Sequence, residues 1–246
     1  MKKIIKISVL VLFVTLVING CKKGDYSPIN PYNGKTTAVF NPGLTYGTMT
    51  DQDSNVYKTI TIGTQTWMAE NLRTTKYRDG SSILNITDNR VWTYLTTGAY
   101  CNYNNTKSAD TIATYGRLYD WYAATDSRNI APTGWHVPTV AEWTTLTTYL
   151  GGDSVAGGKI KETGTTHWAT PNIAATNESG FTALPSGTRY YKDGSFFGLG
   201  GIGVIWSSAA NTPSTVYLRD LYNEFADFYP YLTVMVEGSS LRLIKD

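Results

Sequence analysis

Few residues in this chain have the type and setting for acid–base, metal or covalent chemistry: two histidines, the thiol of Cys101 and scattered carboxylates. An imidazole that catalyses or binds metal needs partners. His136 lies between Trp135 and Val137, where a hydrogen-bonded structural role is the better reading. His167 stands beside Trp168 in a Gly- and Thr-rich stretch and reads as exposed, either a ligand contact or an ordinary surface histidine. Cys101 has no nucleophile signature around it. Glu70 and Glu142 could be paired as the acid and base of a glycoside hydrolase. Yet Glu142 follows Thr139 by three residues, the spacing of a helix capping box, and Glu70 beside Asn71 reads as a buried polar corner. Asn177, Glu178 and Asp193 carry oxygens for calcium but lack the spacing of a calcium loop. The glycines at 198, 200, 201 and 203 precede a strand and do not join a strand to a helix, which excludes a dinucleotide site. No catalytic residue and no metal ligand is assigned. No cofactor is expected, calcium being the one ion with a donor set to test.

Aromatic surface is what the chain supplies in quantity. All seven Trp and fifteen of the eighteen Tyr fall within 49–246, and each such ring buries about 150–250 Å². Two stretches without apolar periodicity, 83–114 and 163–200, hold Trp92, Tyr94, Tyr103, His167, Trp168 and Tyr190. Loops on a rigid scaffold are where binding sites sit. These six are the candidate binding residues, exposed rings there being suited to stack on sugar faces.

Regular elements must hold those loops. The clearest is 131–150. Thr139 and Glu142 form the capping box, Val140, Trp143, Leu146 and Leu150 recur at helical spacing, and Gly151-Gly152 stops the helix. A second helical pattern, 115–125, is aromatic almost all round and therefore deeply buried. Residues 154–162 add a short helical piece. The β-rich run 56–62, a turn at Gly63-Thr64 and a second run from Gln65 predict a hairpin. Tyr77-Arg78-Asp79-Gly80-Ser81 and Tyr191-Lys192-Asp193-Gly194-Ser195 share turn chemistry without being a repeat. Strands are expected at 181–184, 200–208, 216–219, 232–236 and 240–244, forming an antiparallel sheet. Helices placed before a run of strands indicate an α+β fold.

The first twenty residues read as a signal peptide. Lys2, Lys3 and Lys6 precede an apolar run too short for a comfortable membrane span. Ile18-Asn19-Gly20-Cys21 resembles a bacterial lipobox, which implies cleavage after Gly20, lipid on Cys21 and, with Lys22 next, sorting to the outer membrane. Residues 21–48, punctuated by Pro and Gly, are expected to be a flexible linker, and 49–246 a single domain. The chain has 21 Lys and Arg against 19 Asp and Glu. The three signal lysines account for the surplus, so the remainder is net −1 and offers no basic patch for nucleic acid.

Five blocks in order carry a family likeness: 56–72, 115–122, 131–143, 177–181 and Trp206-Ser207-Ser208. Together they resemble the Fibrobacter succinogenes major paralogous domain, over nearly all of 49–246. The resemblance implies a C-type lectin-like fold, similar to formylglycine-generating enzymes: two helices packed on a twisted antiparallel sheet with a long irregular loop region. It also implies a bacterial surface lipoprotein. Leu243 stands where members commonly have a cysteine. If that cysteine pairs with one like Cys101, the disulfide is missing here. The sugar-binding calcium motifs of lectins are absent, so no lectin-type calcium site carries over. The function expected is a lipid-anchored cell-surface or outer-membrane module for adhesion or carbohydrate binding, recognising a glycan or a protein partner, without catalysis. The alternatives are a polysaccharide-active enzyme and a purely structural surface protein.

Overall fold

The computed structural model describes residues 34–246. The segment read as a signal peptide, Cys21 and the expected linker up to residue 33 lie outside the described residues. The domain is α+β, with three sheets and five short α-helices. The two-helix, one-sheet arrangement is thereby corrected: most of the added elements arise inside stretches that have no periodicity of their own.

The first sheet contains the expected hairpin, Val56–Ile62 against Gln65–Met68. Gly47–Thr50 pairs on its outer side. On its inner side Ile244–Lys245 and then Trp135–His136 complete five antiparallel strands. The second sheet runs in the order Pro230–Thr233, Val216–Tyr222, Ile202–Ala210, Ser186–Arg189, Phe196–Leu199. It is antiparallel except for one parallel bridge at Gly203 and Gly187. The third sheet is small: Leu84–Asn85, Ala99–Cys101 and Leu118–Tyr119.

The helix Val140–Tyr149 forms as its cap requires. Thr139 Oγ1 accepts from the Glu142 N–H at 3.3 Å and Glu142 Oε2 accepts from the Thr139 N–H at 2.8 Å. Its buried stripe sets Trp143 4.5 Å from Trp67 and 5.5 Å from Phe228, ring centre to ring centre. Leu146, Ile160 and Phe181 fill the same core. A second core, around Tyr57, Met68, Tyr119, Trp206 and Leu243, lies between the sheets. The run 240–244 is mostly a seam and not a strand. Its carbonyls serve both sheets: Ser240 accepts from the Trp206 N–H at 3.1 Å, and Leu241 and Leu243 accept from Leu72 and Met68 at 2.9 Å each.

Four local expectations change. The helix over 115–125 is broken in two, Ala109–Tyr115 and Trp121–Ala124, with Leu118–Tyr119 extended between them. Gly116 causes the break. It holds φ 75, and a Cβ there would sit 2.5 Å from the Asn71 Cβ, so the chain crosses 71–72 where only glycine fits. The 83–114 stretch is ordered by caps at Asp88 and Ser108 and by the buried Arg189 guanidinium, which donates to the carbonyls of Ile86 and Thr87. Residues 181–184 are not a strand, because Arg242 takes the carbonyls of Phe181 and Thr182. The flexible linker reading fails over 34–46. Asp110, Thr114 and Glu162 side chains accept from the N–H groups of Lys35, Thr37 and Val39, and Phe40 packs edge-on to Tyr46 at 5.4 Å. Backbone donors satisfied from two separate regions of the domain bind this segment as a strap.

Candidate functional site

One face of the second sheet carries a cleft of about 380 Å³. Strand alternation builds it. Along Val216–Tyr222 the side chains of Leu218, Asp220 and Tyr222 point into the cleft, while Arg219 and Leu221 point the other way. Across the ladder Ile202 stands opposite Tyr222 and Val204 opposite Asp220. Tyr231 stands opposite Leu218, and Phe197 opposite Thr188. The floor is apolar and buried, with Val204 6% and Leu218 3% exposed. The rim is not: Tyr231 is 58% and Phe197 59% exposed. Tyr190 and Tyr191 close one side with ring centres 4.8 Å apart.

Two carboxylates face this space. Burial raises the Asp220 pKa above the ordinary range, against a Tyr222 hydroxyl that donates to it at 3.1 Å. Burial likewise raises that of Glu237, whose Oε1 accepts from the Thr188 hydroxyl at 2.6 Å. Such a site, concave and aromatic with a few convergent polar groups, has the make-up of a small-ligand pocket.

Of the six residues picked from sequence, Tyr190 lines the cleft. The others are elsewhere. Trp92 is fully buried, its indole donating to the Val236 carbonyl at 2.8 Å and its face covered by Arg189 at 4.5 Å. Trp168 is 1% exposed and donates to the Ala183 carbonyl at 2.9 Å. Both rings are anchors with no face left for a sugar. The exposed reading of His167 is also corrected. Its Nδ1 meets Glu162 at 2.7 Å and its Nε2 meets Thr37 Oγ1 at 2.8 Å, under the strap, and its side chain is 6% exposed. Tyr103 packs on Phe196 at 5.3 Å. Tyr94 is 75% exposed beside Val91 and Leu95, on a separate surface.

The groups weighed for chemistry are occupied structurally. Glu142 caps its helix and also meets His136 Nε2 at 2.7 Å, while Asp246 meets His136 Nδ1 at 2.6 Å. Glu70 accepts from the Lys58 N–H at 2.5 Å. Cys101 is buried, and burial pushes its thiol up to about 12, far from a thiolate at neutral pH. It lies in the small core under Trp92, whereas Leu243 belongs to the core between the sheets. The calcium donors are not convergent: Asn177 bonds the Thr182 backbone, Glu178 pairs with Lys159, and Asp193 closes its own turn with Ser195. Among the described residues no group of three or more His, Cys, Asp or Glu is placed to hold a metal ion.

Tyr191, Asp220, Tyr222, Tyr231 and Glu237 were missed in the sequence. One signal was present: Asp220 shares the period-two face of Val216, Leu218 and Tyr222, a carboxylate on an otherwise apolar strand face.

Neither a curated protein nor a solved structure matches the chain. The Fibrobacter succinogenes major domain model matches residues 60–245, a span that takes in every residue of the cleft. With three quarters of its length so matched, the chain belongs to the Fibrobacter succinogenes major domain family.

Proposed function

We propose that this chain is a lipid-anchored binding module of the cell envelope, held at the outer membrane through Cys21, that retains a glycan in the aromatic cleft of its second sheet and does not turn it over. The fold in this proposal is a C-type lectin-like variant, which the five sequence blocks imply. The observation that carries the function is the set of uncovered rings on one sheet face, with Tyr231 and Phe197 more than half exposed above an apolar floor. Sugar rings offer apolar C–H faces that pack on aromatic rings, and hydroxyls that bond carboxylates and tyrosines. The polysaccharide-active alternative rested on Glu70 and Glu142, and both lie outside the cleft, each bonded to a backbone N–H group.

The test is binding of the full chain to a broad glycan array, with and without chelator, beside Tyr231→Ala. Saturable binding to one sugar class, weakened about tenfold by the substitution at unchanged melting temperature, is the expected result. A blank array from a cooperatively melting protein, or binding indifferent to Tyr231→Ala and Tyr222→Ala, would overturn it.

A further inference from the structure

We infer that the cleft selects a ligand carrying an ammonium group, an amine-bearing sugar polymer such as a glucosamine oligomer, over its N-acetylated or acidic counterparts. This rests on the glycan-binding function proposed above. The lining holds two carboxylates, Asp220 and Glu237, and no Lys, Arg or His. Among the described residues neither carboxylate has a basic side chain within 4.0 Å. Glu237 is 7% exposed, and the Thr188 hydroxyl that it accepts from is neutral.

A buried carboxylate without a cation is costly, and at several places this fold supplies the cation. Asp153 has Arg219 at 2.7 Å, Glu162 has His167 at 2.7 Å, and Glu142 has His136 at 2.7 Å. Asp51 and Asp120 are also buried without a cation, but they are enclosed by donors of their own, Asn55 and Tyr57 for the first and the Ala99 and Ala123 N–H groups for the second. Asp220 and Glu237 instead face open space, and burial raising both their carboxyl pKa values is the same imbalance seen from the proton's side. The rings around the carboxylates strengthen the demand, since aromatic faces attract a cation within about 6 Å of their centre. The chain itself uses them so: Lys192 Nζ rests 5.7 Å from the Tyr190 centre and 5.6 Å from that of Tyr191, though Lys192 does not line the cleft. An acetylated nitrogen brings no charge to this site, and a uronate would bring a third negative one.

Calorimetric titration of the full chain with the glucosamine trimer and the N-acetylglucosamine trimer tests this, in wild type, Glu237→Gln and Asp220→Asn. The amine trimer is expected to bind about tenfold tighter, and each variant to weaken it about tenfold while sparing the acetylated trimer. The amide introduced by Glu237→Gln still offers Thr188 an oxygen, and thermal melts report folding. Equal wild-type affinity for the two trimers would overturn the charge selection and leave the glycan site standing, and this comparison decides even if a variant fails to fold. Amine binding unaffected in two folded variants would also overturn it. Binding of neither trimer would overturn this inference, and a blank array beside it would remove the glycan function as well.

Discussion

The core beside the first sheet and the cleft face of the second both gather aromatic rings and treat them oppositely. In that core, Trp67 and Trp143 lie against each other, Phe181 closes on both, and Phe228 packs on Trp143. Every one of these rings is fully buried. On the second sheet's cleft face, Tyr231, Phe197 and Leu232 remain open to solvent. Charge follows the same division, since Glu142 is tied to His136 and to a helix terminus whereas Asp220 and Glu237 have no cation. Aromatic content alone therefore does not designate a binding site. Open faces beside unpaired carboxylates are what mark the proposed site.

The largest effect that tests this division is Trp143→Ala. Removing a ring stacked on three others is expected to cost about 3–5 kcal/mol, read as a large fall in the denaturant midpoint. Tyr231→Ala on the open sheet is expected to change stability by no more than about 0.5 kcal/mol while lowering ligand affinity. If Tyr231→Ala destabilises as much as Trp143→Ala, the second sheet's face is core and the division collapses.

A middle-sized effect concerns the element that was plainest in the sequence. Thr139→Ala removes the hydroxyl that accepts from the Glu142 N–H and also donates to the Glu142 carboxylate at 2.8 Å. The expected loss is about 1 kcal/mol, measured by thermal or urea unfolding, with ligand affinity unchanged. A loss of affinity at constant stability would place this helix in the site.

That cap, the hairpin around Gly63-Thr64 and the paired Asp-Gly-Ser turns were legible because the determinants are local. In each turn an Asp carboxylate accepts from the Ser N–H two residues on, at 2.8 Å for Asp79 and 2.9 Å for Asp193. What was not legible depends on distant partners. Nothing near Trp92 in the chain announces Arg189, and nothing near His167 announces Thr37, yet those contacts turn two apparent loop residues into buried ones. Nothing in the sequence around Gly116 announces the crossing of Asn71 that makes glycine obligatory there. The cleft was half legible. The alternation that puts Asp220 with Leu218 and Tyr222 is readable, but Glu237 and Tyr190 reach the same space only through pairing of strands far apart in sequence.

The smallest effects separate paired from unpaired carboxylates by titration. Burial opposes ionisation of Glu142, but the Thr139 N–H and the His136 ring outweigh it, and its pKa falls below the ordinary value. Its contribution to stability is therefore present above about pH 4.5 and fades as pH drops through the lower folded-state pKa. Burial also opposes protonation of His136, but Asp246 and Glu142 overcome it and the pKa rises. That contribution is full below about pH 6.5 and is lost as pH climbs through the raised value. The ring is 34% exposed, so solvent screening keeps the effect under about 1 kcal/mol. Asp246→Asn should flatten the decline in stability above pH 6.5. Glu237 has the opposite sense from Glu142, its raised pKa making the folded state bind a proton that the unfolded chain has already released. Carboxyl NMR titrations should then place Glu142 below and Glu237 above a model glutamate. Adding an amine ligand should move Glu237 down toward Glu142, because a bound cation supplies to the second sheet what His136 already supplies to the first. Coincident titration of the two glutamates in the free protein would mean that the cleft is no less compensated than the cap, and would remove the electrostatic half of the contrast.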